Sequence, residues 1–227
     1  LDPNPKIAAV VSEIFAIGHG HLLSLETLAQ YASYRNPEGA VRSIALRDSV
    51  DDILSSARAL GVEKFGVHPR LDVRVGTELI IDPAAVPLLE FALIELLKNA
   101  FGAMIERHGA LDVEDAPPVK IHLEGDSQSL ERVWIEDFGT GMEKSVQRAC
   151  FQPLVTTLVD DREDPWKYSR TFGAKFAGAG LGAFRARLGF LHLGAREINL
   201  RSDMGVGTAI EILFNDDLYD DDKKTWV

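Results

Sequence analysis

Val133-Trp-Ile-Glu-Asp-Phe-Gly-Thr-Gly-Met142 begins as a strand and then breaks into two glycines directly after a carboxylate. Asp137, at the end of that strand, can accept a hydrogen bond from an exocyclic amine. Gly139 and Gly141 let a flat ring approach the backbone without meeting a Cβ. An ordinary glycine-rich turn would look the same from this stretch alone.

Upstream, Val119 to Leu123 reads as a strand, and a turn at Gly125-Asp126-Ser127 leads into the strand Arg132 to Glu136, so the two form a hairpin. An acidic linker, Gly109 to Pro118, separates this hairpin from a long helix that starts near Pro83, a residue tolerated in a first turn, and runs to His108. Before that helix lie two β-like runs, Leu71 to Val75 and Glu78 to Ile81, with Gly76 as the turn between them. A helix over Ser49 to Leu60 stops at Gly61. Apolar residues at helical spacing from Ile7 to Ala29 predict an amphipathic N-terminal helix over about Lys6 to Tyr34.

Downstream of the glycines, Glu143 to Phe151 reads as a helix. Thr156 to Ala177 is polar and without period, the pattern of a lid or a disordered segment. A further helix spans Gly182 to Leu193, and strands Glu197 to Ser202 and Thr208 to Phe214 flank Asp203-Met204-Gly205-Val206-Gly207. The stretches divide into a helical segment over 1–45, a main domain over 46–216 and an acidic tail over 217–227.

Composition narrows the function. With 24 basic against 35 acidic residues, the net charge of −11 argues against broad binding to a nucleic-acid backbone. The single Cys150 cannot form an internal disulfide, which suits a reducing compartment, and no base is placed beside it in sequence. No apolar run approaches the roughly 20 residues that span a bilayer. The chain opens with Leu1 rather than Met, which reads as a processed or excised piece.

In Glu95-Leu-Leu-Lys-Asn-Ala100, Glu95 and Asn99 are four apart and project from one helix face. A carboxylate and an amide oxygen one turn apart suit Mg²⁺, which keeps waters and takes phosphate oxygens as further ligands. A solvated face with an i,i+4 hydrogen bond is the plainer alternative. Gly178-Ala-Gly-Leu-Gly182 precedes a helix and offers free amides where a polyphosphate can sit.

The ordered set ELLKNA, EDFGTGM, FQPLVTT, GAGLG and SDMGVGTAIEILF resembles the successive boxes of the Bergerat-type ATPases, which include gyrase, MutL, heat-shock chaperones, sensor histidine kinases and the mitochondrial pyruvate and branched-chain dehydrogenase kinases. The resemblance covers Glu78 to Phe214. It implies a two-layer α/β sandwich, a mixed and mostly antiparallel sheet covered by helices, preceded by the N-terminal helical segment.

It further implies ATP and Mg²⁺ as cofactors. Asn99 would bind the metal, and Glu95 would help coordinate it or polarise the attacking group. Asp137 would read the adenine amine, Gly139 and Gly141 would shape the adenine pocket, and Thr208 would support Asp137. Phe151 would root a lid over Thr156 to Ala177, which includes Thr157. Gly178, Gly180, Leu181 and Gly182 would face the phosphates.

FQPLVTT and the closing half resemble the histidine kinases, while ELLKNA through ERHGALDVEDAPPVKI is similar to the dehydrogenase kinases. The reading is therefore a sensor histidine kinase core, a homodimer through its N-terminal helix that phosphorylates a protein acceptor such as a response regulator in the cytoplasm. A mitochondrial-matrix serine kinase of the dehydrogenase-kinase type is the alternative. A degenerate scaffold that only binds nucleotide or dimerises is a third reading. Two departures stand out: Gly102 occupies the position where many histidine kinases and the dehydrogenase kinases carry a base, and His19 and His21 lack the usual phosphoacceptor context.

Overall fold

The computed structural model describes residues 44–127, 129–152 and 182–214. The N-terminal helix, His19 and His21, the segment Thr156 to Ala177 with Thr157, the glycines Gly178 and Gly180 with Leu181, and the acidic tail lie outside the described residues.

Strand β1 (Ile44–Ala45) leads into helix α1 (Leu46–Phe65), followed by β2 (Leu71–Val75), β3 (Ile80–Ile81), a 3₁₀ turn (Pro83–Ala85) and helix α2 (Val86–His108). Strands β4 (Val119–Gly125) and β5 (Leu130–Asp137), helices α3 (Lys144–Ala149) and α4 (Gly182–His192), and strands β6 (Glu197–Asp203) and β7 (Gly207–Leu213) complete the order. Five strands form one mixed sheet in the order β2-β4-β5-β7-β6, with β2–β4 parallel and the other pairs antiparallel. This is the expected two-layer α/β arrangement, a mostly antiparallel sheet packed against helices.

Period-two alternation explains which side of the sheet is dry. Val119, Ile121 and Leu123 of β4 and Val133 and Ile135 of β5 are buried and meet Leu93, Leu97, Phe101 and Met104 of α2 in one core. The opposite face carries cross-strand charge pairs, Lys120 with Glu136 at 2.8 Å and Arg132 with Glu211 at 2.8 Å. Pairs of that kind each add little stability.

Two local expectations change. Helix α1 does not stop at Gly61. That residue is buried within the helix because a Cβ there would stand 2.9 Å from the His68 Cβ and 3.0 Å from a Phe101 ring carbon. The helix ends instead at Gly66, whose φ of 78° is a left-handed cap and whose amide bonds the Val62 carbonyl at 2.9 Å. Gly76 does not close a hairpin either. Its amide bonds Leu123 O at 2.9 Å and prolongs the parallel β2–β4 ladder, while β3 pairs with β1 in a separate two-stranded sheet. A parallel pair needs a long crossover, and α2 lies in the connection from β2 to β4. The β4–β5 hairpin is as expected.

Candidate functional site

Asp137 is the last residue of β5 and follows Val133 and Ile135 on the core-facing parity, so the strand points a carboxylate where its pattern otherwise places apolar side chains. Thr208 faces it across the β5–β7 ladder, and Ser202 faces Thr208 across β6–β7. All three are buried, at 7%, 9% and 3% exposure, forming a polar rung across the end of an apolar layer.

The rung is satisfied largely by backbone. Asp137 Oδ1 accepts the Gly139 amide at 2.9 Å and the Thr208 amide at 3.3 Å. The Ser202 hydroxyl donates to Gly207 O at 3.0 Å, lies 2.9 Å from Thr208 Oγ1, and accepts the Met142 amide at 2.8 Å. Gln147 of α3 bonds the Met142 and Ser202 carbonyls from the other side. Among the described residues no donor reaches Asp137 Oδ2, so one oxygen is consumed by the fold and the other has no partner there. Desolvation raises the Asp137 pKa from 3.8 to about 6, against the pull of the two amide bonds.

The glycines around Asp137 have backbone neighbours. A Cβ on Gly139 would lie 2.5 Å from the Ala103 Cβ and 2.6 Å from its carbonyl carbon, so this turn rests directly on α2. Gly141, at φ 70°, would bring a Cβ to 2.0 Å from Asp203 O in the β6–β7 turn. Both glycines thus let the loop after Asp137 fit between α2 and the far hairpin.

Helix α2 is tied to this corner by further bonds. Thr140 N reaches Ala103 O at 3.3 Å. Arg107 Nη1 donates to the carbonyls of Phe138 at 3.0 Å, Gly139 at 3.2 Å and Val206 at 2.8 Å, and His108 Nε2 lies 2.9 Å from Phe138 O. Asn99 stands one turn, about 6 Å, before Ala103 on the same helix. It is exposed, and its side chain makes no hydrogen bond among the described residues.

Glu95, one turn earlier again, is 8% exposed and bonds Lys98 Nζ at 2.6 Å. A Cβ on Gly182 would lie 2.7 Å from Glu95 Oε2, which places this carboxylate against the first residue of α4, where a helix end favours negative charge. The structure therefore assembles the predicted residues into two groups joined by α2: Asp137, Gly139, Gly141 and Thr208 at one end, Glu95 and Gly182 at the other, with Asn99 between.

The donor set can be weighed against Mg²⁺. Among the described residues no cluster of three or more His, Cys, Asp or Glu could hold a metal by itself. Mg²⁺ does not require one, since it takes one or two protein oxygens and completes its shell with water and phosphate. The free amide oxygen of Asn99 fits that role; Glu95 is already held by an ammonium. Cys150 is half-buried with its thiol pushed up by burial, so it stays protonated.

Sequence reading did not single out Ser202 or Arg107. Ser202 was accessible from the register of the final hairpin, which sets it opposite Thr208. The position of Arg107 follows from tertiary packing.

Fold and site define a two-layer α/β domain with a carboxylate-centred corner at the end of its sheet, braced by one long helix. No protein-family model matches the chain. By sequence it is similar to Sensor protein TdiS of Thauera aromatica, 27% identical over 158 residues, which are 67% of this chain and 27% of that protein. It is also similar to the mitochondrial [pyruvate dehydrogenase (acetyl-transferring)] kinases of Schizosaccharomyces pombe, 30% identical over 147 residues, and Drosophila melanogaster, 30% over 118. These matches cover 61% and 49% of this chain and 33% and 28% of the two kinases. The chain spans a third or less of the length of the curated relatives it matches, and the relation is distant, at the level of a superfamily that contains kinases. Among the described residues no helix is long and apolar enough to cross a membrane.

Proposed function

We propose that this chain carries the ATP-binding phosphotransferase core of a Bergerat-type kinase. The observation that carries the reading is Asp137: a buried carboxylate with one oxygen held by two backbone amides and the other unspent, one rung from the glycine turn that rests on the helix bearing Asn99. Such an acceptor, fixed in position and poor in solvent, suits the exocyclic amine of adenine.

The roles follow from that anchor. Asp137 Oδ2 accepts the amine, and Thr208 and Ser202 hold the carboxylate's rung in place. Asn99 offers its amide oxygen to Mg²⁺, which when bound would neutralise phosphate charge during transfer. Lys98 holds Glu95 at 2.6 Å in a defined rotamer beside the start of α4. A hydroxyl acceptor would use Glu95 to take its proton, whereas a neutral imidazole is already nucleophilic near pH 7.

Within this reading, the first version is a sensor histidine kinase core that dimerises through its N-terminal segment, passes phosphate to a response regulator and works in the cytoplasm. It is supported by the similarity to a sensor protein over 67% of the chain. The 30% identity to two mitochondrial kinases favours a second version, a protein serine kinase of the matrix. Incubation with γ-labelled ATP and Mg²⁺, then acid or base treatment of labelled protein, separates them: phosphohistidine is acid-labile and phosphoserine base-labile. Absence of Mg²⁺-dependent ATP binding would refute both.

A further inference from the structure

Helices α2 and α4 run past each other in opposite directions along a close seam. Gly182, the first residue of α4, meets the Glu95 carboxylate. Two turns later Gly189 meets the earlier part of α2, where a Cβ would stand 3.1 Å from the Ala92 Cβ and 3.5 Å from Leu88 O. Between these contacts the Arg185 guanidinium lies over the Phe91 ring, its Cζ 4.5 Å from the ring centroid. Both residues are half-buried, and among the described residues Arg185 makes no hydrogen bond or ion pair. Stacking on an aromatic face sets the plane of the guanidinium and leaves the N–H donors on its edge unspent. Helix geometry does not call for a cation here, since Arg185 closes the first turn of α4, the end that favours negative charge.

Its place along α2 gives the cation a use. Ala103 carries the turn after Asp137, Asn99 comes one turn earlier, Glu95 one turn before that and Phe91 one turn further, each step about 6 Å. On the function proposed above, a nucleotide with its base at Asp137 and its metal at Asn99 directs its terminal phosphate toward Glu95. The acceptor enters in line, opposite the leaving ADP, so the surface beyond Glu95 meets the acceptor. Phe91, with Arg185 over it, is the next rung on that side.

We propose that Arg185, seated on Phe91, is a specificity-determining residue that binds a carboxylate of the acceptor protein close to the residue that takes the phosphate. This inference rests on the function proposed above, and it narrows the acceptor to an acidic segment. The planar fork of a guanidinium matches a planar carboxylate through two parallel hydrogen bonds. A chain with 24 basic against 35 acidic residues repels acidic segments in general, so one fixed cation decides where such a segment lies.

The test uses the full chain loaded with ADP and Mg²⁺. The probes are the labelled heptapeptides Gly-Ala-Asp-His-Asp-Ala-Gly and Gly-Ala-Asp-Ser-Asp-Ala-Gly, each beside its twin with Asn in place of Asp, read by fluorescence anisotropy. At least one Asp peptide should bind about tenfold more tightly than its twin, the scale of one charge-assisted contact. Arg185→Met should abolish that preference, and Arg185→Lys, which keeps the charge without the fork, should retain part of it. Both variants should keep ATP and ADP affinity within about twofold. No preference for Asp in the unaltered chain, or a preference that survives in Arg185→Met, overturns the inference. Weaker ATP binding in Arg185→Met also overturns it, since the cation would then serve the nucleotide. Failure of the unaltered chain to bind either nucleotide overturns the kinase reading and this inference with it; normal nucleotide binding without a preference for Asp overturns this inference alone.

Discussion

Thr208 lies directly opposite Asp137 in the β5–β7 ladder, and its amide donates to the Asp137 carboxylate at 3.3 Å. The strand end that orients the acid is thus also its hydrogen-bond donor. Replacing Asp137 by Asn separates the structural half of this arrangement from the ligand half. The amide oxygen can still accept from Gly139 and Thr208, while the other position becomes a donor facing the adenine amine. Asp137→Asn should fold normally and bind ATP at least about tenfold more weakly, as read by calorimetry alongside thermal unfolding. Undiminished ATP affinity would remove Asp137 from base recognition.

The pH response should have opposite signs for stability and for binding. Asp137 has a pKa of about 6 in the folded chain against 3.8 in its absence, so between those values the native state holds a proton that the unfolded chain has released. Stability therefore falls as pH rises through this window, by on the order of 2 to 3 kcal/mol from this group, and is level above it. Nucleotide affinity should rise through the same window, because only the ionised carboxylate accepts on Oδ2 without competition from its own proton. Denaturant midpoints and binding constants from pH 4 to 7.5 check both trends, and Asp137→Asn should flatten the contribution to each.

Asn99 is exposed and supports nothing in the described fold. Asn99→Ala should leave unfolding free energy within about 0.5 kcal/mol of the original while abolishing the Mg²⁺ dependence of ATP binding. A stability loss well beyond that, or unchanged metal dependence, would argue for an ordinary surface asparagine.

Gly139 makes the opposite prediction. A methyl group there meets backbone of Ala103 at 2.6 Å, and neither partner is a flexible side chain that can step aside. Gly139→Ala should destabilise by about 1 to 3 kcal/mol or more and weaken nucleotide binding with it, measured by urea denaturation and calorimetry. Retained stability would mean that the loop after Asp137 does not rest on α2.

Arg107 braces the same loop through three carbonyls, one of them on the β6–β7 turn. Arg107→Met should cost about 1 kcal/mol and, on the proposed reading, raise the KM for ATP more than it lowers kcat, since the side chain braces the loop after Asp137 through backbone carbonyls. An effect confined to kcat would contradict a bracing role.

Much of the geometry of this corner was legible in the sequence because it breaks local rules. An acid after Val133 and Ile135 sits on the parity reserved for apolar residues, and two glycines in the following four positions announce unusual backbone. The β4–β5 hairpin and the long helix were equally visible from alternation and from period. What the pattern could not convey depends on neighbours distant in sequence. Gly61 looks like a helix stop and is instead a notch for Phe101. Gly76 looks like a hairpin turn and is instead a rung of a parallel ladder with Leu123.

The contact of Gly139 with Ala103, together with the Thr140 and Arg107 bonds, makes helix α2 a ruler. The gap between the Asp137 corner and Asn99 is set by the pitch of a single rod, rather than by the meeting of two separate parts. One residue inserted between Asn99 and Ala103 would turn Asn99 by about 100° relative to the Asp137 corner while lengthening the rod by only about 1.5 Å. Register, more than reach, is therefore what this domain has to protect.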